Sequence, residues 1–277
     1  MLNALALADR LAVFTLGGDG PATSFGANAM ALAGRGGTLV VDPFIAPGHA
    51  RLLEDALRRR GFPPVTVVAL THHHTDHALG AGHFARAGAR VVAHVRCAEA
   101  MATQHPGLVA SRRADPALAE LFADAEPYQP AVQIEGRFAL EVAPGEVVAE
   151  AVHLGHGHTP GDVVVRFPAE GVVAVGDLVF RGYHYNYEEA APAGALRALK
   201  AVGALPEGRV VPGHGPPGGR EVLEEQVRYH AEAARLVRAA SGRDAARGAL
   251  RSAFPGHVFE AAVETALDAW GWPGASR

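Results

Sequence analysis

The run Val65-Thr66-Val67-Val68-Ala69-Leu70, followed by Thr71-His72-His73-His74-Thr75-Asp76-His77, decides how the rest of the chain is read. Its first part is a β-branched run of the kind that forms a buried strand. Its second part crowds His72, His74 and His77 together, with Asp76 among them. A strand end is a rigid platform, and a loop leaving it can aim successive side chains at one point. Residues two apart in an extended segment share a side, so His72 and His74 can pinch one cation. Asp76 and His77, after the chain turns into a helix, point toward a neighbouring position. Packing alone gives no reason to gather imidazoles and a carboxylate, which would desolvate one another; a metal does. Nitrogen and oxygen donors without cysteine are a zinc-type set. His73 alternates outward and is expected at the surface or on a pocket wall. His49, His83, His94, His105, His230 and His257 are read as ordinary structural histidines.

Outward from this segment, strands and helices alternate. Leu11–Leu16 and Thr38–Asp42 read as strands, the second closing on an acid, and His49–Arg60 as a helix stopped at Gly61. A helix over Ala78–Ala87 and a strand at Arg90–His94 follow. Residues 98–130 read as helix and loop, punctuated by Pro106, Pro116, Pro127 and Pro130. Val132–Ile134, Phe138–Val142, Val147–His153, Asp162–Phe167 and Val172–Val175 read as antiparallel strands with Gly or Pro turns. From Gly194 the pattern is helix, strand (Arg209–Val211) and long helix (Gly219–Ala240), with acids early and Arg235 and Arg238 late, as the helix dipole favours. Asp244–Trp272 reads as closing helices, with Trp270 and Trp272 expected to cap the core or join a dimer interface. No repeat or linker breaks the chain, so one domain over residues 1–277 is expected. The predicted class is α/β, a four-layer αββα sandwich.

Composition excludes several functions. A net charge of −4 and only two dense basic runs, Arg58–Arg60 and Arg112–Arg113, argue against a nucleic-acid partner. No stretch approaches the roughly 20 apolar residues of a membrane helix, and no basic segment precedes the N-terminal apolar residues. The expectation is a cytoplasmic protein acting on a small molecule, with a homodimer possible in principle. Cys97 is the single cysteine among 277 residues, which excludes an internal disulfide and a cysteine-rich metal site.

Taken together, the ordered motifs resemble those of the metallo-β-lactamase superfamily. Thr71–His77 resembles its most diagnostic motif. Asp42 resembles the aspartate of the first motif, which supports the metals from behind. Gly157-His158-Thr159-Pro160-Gly161 resembles the third, Val175-Gly176-Asp177 the fourth, and Val211-Pro212-Gly213-His214-Gly215 the fifth. The resemblance runs from about Leu11 to Gly215 and implies His72, His74 and His158 on one metal. It places Asp76, His77 and His214 on a second, with Asp177 bridging. His153 and His156 precede His158, but only His158 sits in the Gly-His-Thr-Pro-Gly turn.

The resemblance implies a binuclear zinc hydrolase, with iron or manganese as other occupants. Two zinc ions lower the pKa of a shared water from about 15.7 toward about 7. Asp76 and Asp177 are the residues expected to orient the resulting hydroxide or relay its proton. A thioester, ester, lactone or amide is the expected substrate. An acid at position 177, where the antibiotic-hydrolysing enzymes place Cys or Ser, is more similar to the thioester and lactone hydrolases. The polar aromatic loop after Asp177 makes Tyr183, His184 and Tyr185 candidate substrate contacts. Rival readings within the superfamily are a mononuclear iron persulfide dioxygenase, an RNA-processing nuclease and a weak β-lactam hydrolase.

Overall fold

Alternation along the strands sorts side chains into layers. The computed structural model describes residues 2–271, so Trp272 lies outside it. One sheet has seven strands in chain order: β1 (Asn3–Ala8), β2 (Leu11–Thr15), β3 (Asn28–Ala33), β4 (Thr38–Val41), β5 (Val65–Ala69), β6 (Arg90–His94) and β7 (Val132–Ile134). Pairing is antiparallel from β1 to β4 and parallel from β4 to β7. The other sheet has five: β8 (Arg137–Ala143), β9 (Glu146–His153), β10 (Val163–Phe167), β11 (Val172–Phe180) and β12 (Arg209–His214). Only its β11–β12 pair is parallel.

Leu39, Val41, Val67 and Ala69 from the first sheet meet Leu140, Val163, Val165 and Phe167 from the second in one buried core. The intervening Val40 and Val68 face the other way, into a cluster with Leu53 and Leu57 of α1 (Pro47–Arg59). On the far side, Val164, Val173 and Val175 pack against Leu199 and Val202, and against Val222 and Leu223. The period-two alternation thus produces helix, sheet, sheet and helix layers. The four-layer sandwich stands.

Short α2 (Thr75–Ala78) and α3 (Ala81–Arg86) replace the single helix expected after the histidines. Gly80 donates its N–H to the Phe44 carbonyl at 2.8 Å, and a Cβ there would lie 1.9 Å from the Pro43 oxygen. The break is therefore fixed by close approach to the loop after β4. α4 (Val95–Ala114) runs straight through Pro106, held by its buried stripe Cys97, Met101, His105 and Val109. α5 (Ala119–Phe122) follows, and α6 (Pro192–Gly203), α7 (Glu221–Ala239), α8 (Arg243–Ala253) and α9 (Ala261–Trp270) complete the described chain. The strand β1 was not expected. Its alanine and leucine residues are mostly exposed and carry no polar alternation. Among the described residues no helix is long and apolar enough to cross a membrane.

Phe167 is fully buried between the sheets, and Leu5 is 53% exposed. Phe167→Ala should lower the unfolding free energy by about 3–5 kcal/mol. Leu5→Ala should stay within about 0.5 kcal/mol. Urea titrations of both variants measure the difference.

Candidate functional site

Strand ends converge at one edge of the sandwich. Asp42 follows β4 directly and is 2% exposed, with a left-handed φ of 54°. Such a backbone costs a non-glycine residue about 1–3 kcal/mol and persists only when its surroundings hold it. Here Oδ1 accepts the Thr71 N–H at 2.8 Å, while Oδ2 accepts the Thr71 hydroxyl at 2.6 Å and lies 2.9 Å from His77 Nδ1. The acid fastens the end of β4 to the histidine segment leaving β5.

These bonds also assign tautomers. A carboxylate only accepts, so His77 carries a proton on Nδ1 and turns Nε2 inward. Thr71 has given its proton to Asp42, so its oxygen accepts from His72 Nδ1, 3.0 Å away. His214 Nδ1 donates to the Phe25 carbonyl at 3.0 Å. All three imidazoles present Nε2 to the centre. His74 is turned the other way: its Nε2 lies 3.6 Å from Glu189 Oε1 and its Nδ1 3.0 Å from His158 Nε2.

Asp177 stands between the histidines. Its Oδ2 lies 3.6 Å from His72 Nε2 and 3.4 Å from His158 Nε2. Its Oδ1 lies 3.2 Å from His77 Nε2 and 3.4 Å from His214 Nε2. Asp76 Oδ2 reaches His214 Nε2 at 3.3 Å and His77 Nε2 at 3.6 Å. Gly213 makes this possible, since a Cβ there would sit 1.9 Å from Asp177 Oδ1. Four overlapping donor sets result among the described residues, His72–His74–His158–Asp177, Asp76–His77–His214, Asp42–His72–His77 and His73–His74–Glu189, each with ligand atoms within 4.8 Å of one another; the first includes Asp177 and the second faces it.

Despite this crowding, His72 Nε2 and Asp177 Oδ1 are buried without a hydrogen-bond partner. Buried polar atoms normally find one. Nitrogen and oxygen donors that converge on shared points, two of them buried without a partner, fit a metal cation.

The protonation pattern is uneven. Burial, reinforced by His74, pushes His158 down to about 3, and burial with His77 also holds His72 well below the ordinary histidine range. Burial opposes charge on His214 and His77 too. Asp177 and Asp76 outweigh it, lifting His214 to about 9 and His77 well above its ordinary value.

Asp162 organises the turn that carries His158. Its carboxylate accepts the N–H groups of Gly157, His158 and Thr159 and the Thr159 hydroxyl, at 3.1, 2.6, 2.9 and 2.6 Å. Burial nevertheless pushes it up to about 6 against those bonds. The sequence motifs did not single it out. Its signal was an acid four residues after His158, placed to accept from the backbone as turn-forming aspartates do.

A cavity of about 270 Å³ opens over the centre, with Asp76, Asp177, His73, His74 and His214 in its floor. His73 is only 1% exposed, with Nε2 3.1 Å from Glu189 Oε1. The side chains of Tyr183, His184 and Tyr185 do not line this cavity. The Tyr183 hydroxyl donates to the Gly18 carbonyl at 3.0 Å, with its ring 5.3 Å from His214. His184 is buried beside Tyr229, 3.1 Å from its hydroxyl. Tyr185 is fully buried, its ring 5.5 Å from His158. The apolar bed of α7, α8 and α9 draws these rings inward, and Asn186, Glu188 and Glu189 reach the cavity instead. Trp270 joins that bed, 5.7 Å from Tyr187.

Residues 22–214 match the family model of the metallo-β-lactamase superfamily. The chain belongs to that superfamily. A metallo-β-lactamase from Pontibacter korlensis superposes with a TM-score of 0.69 at 20% identity, covering 83% of this chain and 99% of that one. The metallo-β-lactamase FIM-1 from Pseudomonas aeruginosa, solved in a mono-zinc form, superposes with 0.66 at 18% identity, covering 84% and 96%. At these identities the likeness is one of fold. A segment of 159 residues is 31% identical to the alpha subunit of 2,4-dinitroanisole O-demethylase from Nocardioides sp. strain JS1661. That match covers 57% of this superfamily member and 42% of the relative, less than half the relative's length.

Coordinating imidazoles must be deprotonated, so metal affinity depends on pH. His72 and His158 are held low and are neutral at pH 7, whereas His214 keeps its proton up to about 9. Zinc titrated into metal-free protein should fill one set at pH 6.5, with a second equivalent binding more tightly, and releasing fewer protons, as pH rises toward 9 and His214 loses its own. Calorimetry in buffers of different ionisation heat reads both.

Proposed function

We propose that this chain is a binuclear metal-dependent hydrolase, with zinc as the expected metal, acting on a carboxylic ester, thioester, lactone or amide. The observation that carries the reading is Asp177, whose two oxygens face two separate histidine sets within 3.2–3.6 Å. In this reading His72, His74 and His158 hold one cation, Asp76, His77 and His214 hold the other, and Asp177 spans both. The bound pair would supply Lewis acidity and a water acidic enough to ionise near neutral pH.

The chain's own residues do the rest. Asp42 and Thr71 lock His77 and His72 with their Nε2 atoms inward. Glu189 plays that part for His74 from the cavity side. Asp76 has a side chain 13% exposed, against 3% for Asp177, so it is the acid better placed to take a proton from an entering group. Buried His73 backs the wall and helps keep solvent from the floor.

The demethylase relative supports a second substrate class, activated aryl methyl ethers. Water-derived oxygen adding to an electron-poor ring carbon and expelling methoxide would give a phenol and methanol. The persulfide dioxygenase reading would instead need a single iron and oxygen uptake.

Purified protein should carry about two divalent ions per chain by elemental analysis. It should hydrolyse at least one member of a panel of thioester, lactone, aryl ester, β-lactam and 2,4-dinitroanisole, and chelation should abolish the activity. Asp177→Asn should lower the rate by more than about 100-fold, the upper range for loss of an outer partner of a metal ligand. A single iron per chain with oxygen consumption and no hydrolysis would overturn the reading.

A further inference from the structure

Arg112 stands at the mouth of the cavity, in the last turn of α4. Its guanidinium lies between two aromatic rings, 5.9 Å from the centroids of both Phe25 and Phe122. Among the described residues no hydrogen bond or ion pair engages it. Its neighbour Arg113 is used structurally, donating through Nε to the Phe122 carbonyl at 3.2 Å and through Nη2 to the Ala125 carbonyl. Glu189, the acid nearer the floor, is already engaged by His73 and by Gln104. An arginine stacked on aromatic rings, with its fork of donors unused, is arranged to receive a planar anion.

The wall around it has a matching character. Gln104, Leu108 and Arg112 recur every four residues, so they form one face of α4, and all three line the cavity. Leu108 is 38% exposed there. Beside Arg112 stand Phe25 and Phe259, brought from distant parts of the chain to a centroid distance of 5.9 Å. Both have left-handed backbones, φ 51° and 66°, which bulky residues rarely adopt. Phe25 is held in that state by its N–H bond to the Gly20 carbonyl at 2.8 Å and by His214 on its own carbonyl. The backbone that orients His214 also sets an aromatic ring on the cavity wall.

We propose that this wall selects substrates whose acyl part bears an aromatic or bulky apolar group and a carboxylate, the ring lying on Phe25 and Phe259 and the carboxylate forked onto Arg112. The proposal rests on the hydrolase reading for its acyl group. It needs no further reactant, because Arg112 only binds.

The test compares two 4-nitrophenyl esters on metal-loaded protein: the monoester of terephthalic acid, which carries a carboxylate, and the ester of 4-methylbenzoic acid, which does not. Arg112→Gln should lower the ratio of kcat/KM, carboxylate ester over methyl ester, by about 10–100-fold, chiefly through KM. Arg112→Lys should recover only part of it, since an ammonium keeps the charge but lacks the fork. An unchanged ratio in Arg112→Gln overturns the proposal. If neither ester is hydrolysed, that counts against the hydrolase reading, and calorimetric binding of 3-phenylpropionate decides about Arg112. A Kd at least tenfold weaker in Arg112→Gln supports the assignment. An equal Kd in both proteins shows that the anion sits on the metals alone and overturns it.

Discussion

The carboxylate of Asp177 sits almost wholly out of water between imidazoles that approach it from both sides. A buried charge is expensive unless partners answer it. The histidines answer it by electrostatics, since His77, His214 and His72 hold Asp177 well below the usual carboxylate range against the effect of burial. The same crowding is unfavourable for the imidazoles among themselves, and it persists because His72, His74, His77 and His214 are tied down from their outer sides, while His158 is placed by its turn. Asp42, Thr71, the Phe25 carbonyl and Glu189 provide those ties. The centre is assembled by outward bonds that aim ring nitrogens inward, a poor arrangement for a hydrophobic core and a good one for cations.

The sandwich exists in the form it does to hold these ends together. Parallel β4 and β5 deliver Asp42 and the histidine segment to the same edge, and parallel β11 and β12 deliver Asp177 and His214. Asn28 of β3 ties the two sheets across that edge, donating to the carbonyls of Pro212 at 2.9 Å and Gly215 at 2.7 Å. Asp177 and His214 are held within β11 and β12 themselves, while Asp42 and the histidine segment follow directly on β4 and β5. The cavity wall comes instead from α4 and from the segments carrying Phe25, Glu189 and Phe259, which approach it from separate parts of the chain. A member of a widely used fold can thus keep its centre while its cavity wall changes.

The aromatic loop after Asp177 shows how local composition misleads. A run of tyrosines and a histidine next to an acid of the centre reads naturally as a substrate surface. Burial energetics sent the rings elsewhere, because α7, α8 and α9 offer them a large apolar bed and a buried aromatic ring gains more than an exposed one. From that position Tyr183 and Tyr185 back His214 and His158. The polar residues that followed them, less conspicuous in the sequence, took the cavity side.

The segment His72–His77 was legible from residue order alone, whereas His158, Asp177 and His214 were reached through the family resemblance. Histidine and aspartate at fixed spacings after β-branched runs carry their meaning locally, because strand periodicity sets which side chains share a side and a strand end sets where they point. The layered α/β architecture followed from the same alternation. The sequence could not show which carboxylate would steady which imidazole, that Asp162 would pin the His158 turn, or that Gln104, Leu108 and Arg112 would face Phe25 and Phe259. Most of those pairings join residues tens to more than a hundred positions apart. Only the packing of two sheets and their helices brings them within reach, because contact across such separations is set by the burial of the whole chain and by no local preference.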